Sequence, residues 1–260
     1  MSHPKLTAQL YTIRDYTKTV GDFRTSMARI ADIGYTAVQV SGIGPIPHEE
    51  VKAICDANGL KICITHVGFD YLQHDTDAAV AQHKLWDCPN VAVGSMPGPY
   101  REGGIETYKQ FAKDATEVGK KLADAGLTFS YHNHSFEFVK FGEGLSAPTG
   151  LEVIYSESDP RYLKAEIDTY WIQHGGGDVV AWIKKMVGRM PVVHFKDMVM
   201  HDGQQTMAEI GEGNLNWPTI IAACEEAGVE WYAIEQDRCL RNPFESLRIS
   251  YDNLRAMGVE

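Results

Sequence analysis

Apolar residues along this chain alternate between two rhythms. A helical spacing of three and four runs up to a glycine, and a short unbroken apolar run follows almost at once. The pattern recurs in ARIADIGYTAVQV, VKAICDANGLKICITH, GKKLADAGLTFSYHN and AACEEAGVEWYAIEQ. In each, the glycine stands where a helix would end in a left-handed residue. Helix then strand, repeated, predicts parallel strands joined by crossover helices. Eight strands are expected, at about 6–11, 36–41, 60–66, 90–94, 127–133, 163–168, 191–196 and 231–236, with helices between them and after the last. The helix before the fifth strand carries an apolar stripe of Tyr108, Phe111, Ala115, Val118 and Leu122, the spacing of one buried face. Asp178 is placed to cap a later helix, and Asn242, Pro243 and Glu245 form a helix start.

No linker, repeat boundary or composition shift divides residues 1–260. Eight βα units in one stretch predict a single α/β domain, a (β/α)8 TIM barrel. The alternative is a doubly wound open sheet. It would need a dinucleotide fingerprint after the first strand, and the nearest match, GIGPIP at 42–47, follows the second strand and has proline in place of the third glycine.

Composition narrows the function. The formal charge is −11, which disfavours phosphate backbones and hence nucleic acid as a partner. Five cysteines without a CxxC pair read as free thiols in a reducing compartment. The opening MSHPKLTAQLYTIRDY has no apolar signal region, and no run approaches a membrane span. A cytoplasmic protein with no membrane association is expected.

Barrel active sites lie at the C-terminal ends of the strands, and polar residues accumulate there. The first strand ends with Gln9, Tyr11 and Arg14, the second with Gln39 and Ser41, the third with His66. The fourth runs into GSMPGPY, which also reads as a simple turn. The fifth ends in YHNHSFEF, with His132, His134 and Glu137. The last three end in Asp168, in His194 and Lys196, and in Glu235 and Asp237. Each has a plainer reading: Asp168 as a helix cap, His194 as a core histidine, Lys196 as a snorkelling surface residue. Carboxylates and an imidazole converging from neighbouring strands instead suit a divalent cation. Mixed O and N donors admit Mn²⁺, Mg²⁺, Co²⁺, Fe²⁺ or Zn²⁺. Trp171 and Trp217 read as packing, His174 and the glycines after it as the approach to a helix, and EIGEGNLNW as a turn with Asn216 as a cap.

The pieces QLYTIRD, YHNHSFEF, EIDTYWIQHGGGD, GRMPVVHFKDM, EIGEGNLNW and AIEQD occur in order over nearly the whole chain. With them the sequence resembles the sugar phosphate isomerase/epimerase superfamily of xylose-isomerase-like barrels. Its YHNH-type subgroup is similar to proteins acting on keto-sugars and 3-oxo-glycosides. The resemblance implies a metal site of Glu137, Asp168, His194 and Glu235, with Mn²⁺ the expected ion. His132 or His134 is the alternative ligand from the fifth strand. It further implies Glu137 and Glu235 as an acid/base pair. From their places at the strand ends, His66, His132, His134, Lys196, Gln9 and Tyr11 are expected around a small sugar substrate. The expected reaction is isomerisation or epimerisation through α-proton abstraction. Elimination or hydration on a 3-oxo-glycoside is the alternative. An inosose-type dehydratase and an abasic-site endonuclease are further alternatives. A homodimer is the expectation for quaternary structure.

Overall fold

The computed structural model describes residues 5–144 and 146–259; residues 1–4, at the start of the segment read for a signal, lie outside them. Eight parallel strands close into a barrel: β1 (Lys5–Gln9), β2 (Ala37–Val40), β3 (Lys61–Val67), β4 (Asn90–Val93), β5 (Thr128–His132), β6 (Lys164–Asp168), β7 (Val192–Phe195) and β10 (Trp231–Ile234). Closure is made by β1 against β10, with Leu6 opposite Tyr232 and Ala8 opposite Ile234. Every expected strand is found. The first is shorter than expected, because the backbone leaves the sheet at Leu10 for a 3-10 segment, Leu10–Tyr16, that carries Tyr11 to the barrel mouth.

The helices form the outer layer: α1 (Val20–Ile33), α2 (His48–Ala57), α3 (Phe69–His74), α4 (Thr76–Leu85), α5 (Gly98–Glu102), α6 (Ile105–Asp124), α7 (Gly150–Glu157), α8 (Thr169–His174), α9 (Val179–Lys185), α10 (Trp217–Ala227) and α11 (Pro243–Ala256). All five stripe residues of α6 are buried. Phe111 on this helix packs its ring against Tyr131 on β5, 5.2 Å between centroids, so the helix sets the strand that carries His132. Truncating such a fully buried phenylalanine costs about 3–5 kcal/mol. Helix ends follow the sequence: α10 stops at Gly228, φ +74°, and Asp178 and Asn242 cap α9 and α11 through their side chains. Asn216 stands before α10 but makes no side-chain cap.

One element was not anticipated. After β7 the chain forms an antiparallel hairpin, β8 (Asp197–His201) and β9 (Gln204–Ala208). Its turn is Asp202–Gly203, both at positive φ, the Asp-Gly combination that suits a two-residue hairpin. The EIGEGNLNW segment that follows wraps the buried Asp197 carboxylate. That group accepts from the amides of Met198, Gly211, Gly213 and Leu215 and from Trp217 Nε1. So many donors on one carboxylate fix the loop and seat the hairpin over the barrel mouth. Among the described residues, no helix is long and apolar enough to cross a membrane.

Candidate active site

Alternation along the strands turns Asp168 and His194 into the barrel as direct register partners of β6 and β7. Glu235 follows β10, and His132 ends β5. These four buried side chains each bring a ligand atom within 4.8 Å of the others. His132 Nε2 lies 3.2 Å from Asp168 Oδ2, and His194 Nδ1 lies 2.9 Å from Glu235 Oε2 and 3.8 Å from Asp168 Oδ2. Asp168 uses its other oxygen to cap α8, accepting from Trp171 N at 2.9 Å. The plain reading of Asp168 as a cap and the reading as a site residue are therefore both realised, one oxygen each.

Glu137 is not in this group. Its carboxylate is buried in the short turn after β5, accepting from Tyr131 OH at 2.5 Å and His134 N at 2.9 Å. The structure thus places His132, the alternative from the same segment, where Glu137 was expected. The reason is reach: the chain turns at Asn133 and aims the glutamate back at its own strand.

The donor set suits a divalent ion on its own geometry. His132 Nδ1 lies 3.1 Å from the Gly94 carbonyl. A carbonyl only accepts, so Nδ1 carries the proton and the Nε2 lone pair points at Asp168. A backbone partner on the far nitrogen is how a ligating imidazole is held. Two imidazole nitrogens and two carboxylates are also a common mixed donor set.

Lys196 is fully buried beside the group, its Nζ 2.7 Å from Glu235, 3.0 Å from Asp168 and 3.1 Å from Asp237. Burial alone would raise both ligand carboxyls, but Lys196 and the imidazoles outweigh it and hold Asp168 and Glu235 down. Asp237 is pushed up to about 6 by burial, with Lys196 and Glu235 pulling in opposite directions. Burial, reinforced by His132 and Lys196, drops His134 to about 2, so its imidazole is neutral.

A cavity of about 1040 Å³ opens over this floor, walled by Tyr11, His66, His132, His134, Trp171 and Glu235 among others. Its size is at the upper end of ordinary ligand pockets, roughly 300–1,000 Å³.

The xylose isomerase-like TIM barrel family model matches residues 27–257. The chain belongs to that family. Inosose dehydratase from Geobacillus thermodenitrificans is 25% identical over 146 residues, 49% of this chain and 47% of that protein. The chain thus spans about half the length of the curated relatives it matches. A sugar phosphate isomerase/epimerase from Parabacteroides distasonis superposes with TM-score 0.82 at 22% identity, covering 100% of this chain and 96% of that one. D-allulose 3-epimerase from Methylomonas sp. gives TM-score 0.72 at 14% identity, with 98% of each chain covered. These structural likenesses are likenesses of fold. The buried cluster of His132, Asp168, His194 and Glu235 can hold a metal ion, as is consistent with this family.

Other expected residues fall into two groups. Tyr11, His66 and His134 reach the cavity. Gln9 is fully buried beneath it, accepting from Tyr11 N and facing His66. Lys196 is fully buried and pairs with Asp168, Glu235 and Asp237.

Sequence reasoning passed over Glu166, which shares the inward face of β6 with Asp168 and is fully buried. It pairs with His66 Nε2 at 2.6 Å and His194 Nε2 at 3.2 Å. The signal was present: E-I-D in a strand puts two carboxylates on one face. The GSMPGPY loop also does more than turn, since Gly94 packs so closely on His66 that a Cβ there would lie 2.7 Å from Nδ1. Trp171 and His174, read as packing and as a helix approach, line the cavity, as does Met207 from the hairpin.

Proposed function

We propose that this protein is a divalent-metal-dependent isomerase or epimerase that acts on a keto-sugar by removing the proton next to its carbonyl. The observation that carries the reading is the buried cluster of His132, Asp168, His194 and Glu235 opening onto a cavity with ample room for a sugar. These four side chains would hold the ion, for which Mn²⁺ is our choice. When bound, a divalent ion stabilises the negative charge that develops on the substrate oxygens as the neighbouring C–H ionises.

The chain's own groups supply the rest. Glu235 stands at the cavity wall, held ionised by Lys196 and His194 despite burial, and is the base that takes the proton. Lys196 keeps Glu235, Asp168 and Asp237 fixed by three short ion pairs. Neutral His134 offers a hydrogen bond to a substrate hydroxyl, and His66 reaches the same cavity beside it. Trp171 and Tyr11 cover the ring and exclude water.

One observation favours a second outcome. Glu235 and Asp237 both follow β10 and so approach from one side, while β5 presents His132 rather than a carboxylate. A single-sided base suits proton return to the adjacent carbon, or loss of a β-leaving group, better than inversion at one carbon. Elimination from a 3-oxo-glycoside or an inosose-like ketone is therefore the alternative reading, and the inosose dehydratase relatives agree with it.

The test is metal content followed by exchange. Reconstituted protein should hold about one Mn²⁺ per chain and, in deuterated water, wash deuterium into the α-carbon of an accepted ketose. Release of water or an alcohol without isomer would establish the lyase outcome. Failure to take up any divalent ion would overturn the reading.

A further inference from the structure

Beneath the four-residue cluster lies a second set of polar groups, Gln9, Gln39, His66 and Glu166, of which His66 alone reaches the cavity. Gln9, Gln39 and Glu166 are fully buried. Their hydrogen bonds form one chain whose direction can be read from its fixed ends.

The backbone N–H of Tyr11 can only donate, and it donates to Gln9 Oε1 at 2.9 Å. The Gln9 amide nitrogen therefore faces His66 Nδ1, at a long 3.5 Å, and Ser41 Oγ lies at the same distance from that nitrogen. Nδ1 is the acceptor of this pair, so Nε2 carries the His66 proton and donates to Glu166 Oε2 at 2.6 Å. The other oxygen of this carboxylate also only accepts. It receives Gln39 Nε2 at 2.9 Å, which turns Gln39 Oε1 toward His194. An amide oxygen only accepts, so His194 Nε2, 2.8 Å away, must carry a proton. That leaves Nδ1 as the nitrogen facing Asp168 and Glu235.

We propose that Gln9, Gln39 and Glu166 are positioning residues: a directional hydrogen-bond chain, anchored at the Tyr11 amide, that dictates which nitrogen of His66 and of His194 bears the proton. The consequence is functional. His194 presents Nδ1, never Nε2, to a cation, and its ring cannot turn over without breaking the bond to Gln39. His66 is held with Nε2 tied down and its ring stacked on His194, 5.3 Å between centroids and 14° between planes. The part concerning His194 rests on the metal reading above, whereas the part concerning His66 does not. Partners of this kind typically change metal affinity by roughly 10–100-fold when removed.

The test is NMR of protein carrying ¹⁵N at its histidines, assigned with His66→Gln and His194→Gln, first metal-free and then with Zn²⁺ as a diamagnetic probe. The wild type should show His66 protonated on Nε2 alone in both states. With Zn²⁺, His194 should be coordinated through Nδ1 and keep its Nε2 proton. Glu166→Gln turns an amide N–H toward His66, so the His66 proton should move to Nδ1 and Zn²⁺ affinity should fall about 10-fold or more. Gln39→Leu should weaken Zn²⁺ by less, because Glu166 Oε1 remains 3.2 Å from His194 Nε2. Should Glu166→Gln fail to fold, Gln9→Leu reads the same chain from its other end: Glu166 still holds the proton on His66 Nε2, while Nδ1 loses the donor that faces it, so the Nδ1 nitrogen shift should move and the Nε2 proton should stay. A residue of merely structural importance would lower the melting temperature without moving either proton or the Nδ1 shift. His66 protonated on Nδ1 or on both nitrogens in the wild type, or His194 coordinated through Nε2, overturns the proposal. No Zn²⁺ uptake with the expected His66 pattern overturns the metal reading and the His194 half together.

Discussion

Glu137, in the turn after β5, and Asp168, at the end of the neighbouring β6, are equally shut away from water and are driven in opposite directions. Burial raises the carboxyl pKa in both. Around Glu137 the neighbours are a phenol and backbone amides, which offset only part of that push, and the group is left at about 7. Around Asp168 the neighbours are an ammonium and imidazoles, which reverse it. The two carboxylates thus have different chemistry because charge, and not burial, differs between their surroundings. One is a structural latch of the YHNHSFEF turn; the other belongs to a buried cluster that can hold a cation.

The largest test of this contrast is Asp168→Asn. Its Oδ1 can still accept from Trp171 N, so α8 keeps its cap and the fold should hold. The charge is lost where it faces His132, His194 and Lys196. Divalent-ion affinity, measured by titration calorimetry, should fall by more than about 100-fold, beyond what loss of an outer partner costs. Retained affinity would remove Asp168 from the site. Lys196→Met attacks the same side from the cation. Three carboxylates lose a buried partner, so the metal-free protein should be destabilised by about 3–5 kcal/mol in urea unfolding. Added Mn²⁺ should recover part of that loss, since it binds the same oxygens. An equal loss with and without Mn²⁺ would separate Lys196 from the cluster. Gly94→Ala is milder. The new Cβ must displace His66, whose Nδ1 would lie at 2.7 Å, while the Gly94 carbonyl still serves His132. Turnover should drop about 10-fold, less than the ~100-fold that a 1 Å misplacement can cost, with metal content unchanged.

What the sequence disclosed, and what it hid, divides along the same physical line. Strand and helix positions were legible because the apolar period and the helix-ending glycines are local signals. Asp168, His194 and Glu235 were legible because polar residues at strand ends on an inward face have few other uses. The choice between His132 and Glu137 was not, since it depends on where the chain turns after Tyr131, and an unbroken run of polar and aromatic residues offers no period to read. Glu166 was hidden by attention to strand ends alone; it lies one inward position deeper on the same face as Asp168. The hairpin carried a local signal at Asp202–Gly203, but its strands are short and half exposed, and the apolar pattern is weak there.

The smallest effect is also the most specific to Glu137. A carboxyl whose folded pKa, about 7, lies above its ordinary 4.5 contributes stability that is full below the lower value and is lost as pH rises through the upper one. Asp168 has the reverse sign, its contribution being present above the ordinary range and lost as pH falls. Glu137→Gln can still accept from His134 N and can meet Tyr131 OH, but it cannot ionise. The stability of the wild type relative to this variant should therefore decline between about pH 5 and pH 8. The decline should be at most about 3 kcal/mol, given about 1.36 kcal/mol for each pH unit between the two pKa values. Divalent-ion affinity should stay within about twofold at either pH, because the Glu137 carboxylate bonds to Tyr131 and the His134 amide and stands outside the four-residue cluster. Paired urea unfolding curves at the two pH values measure the first quantity and calorimetry the second. A pH-independent difference would mean that Glu137 ionises freely in the folded protein. A large loss of ion affinity would return it to the metal site and displace His132.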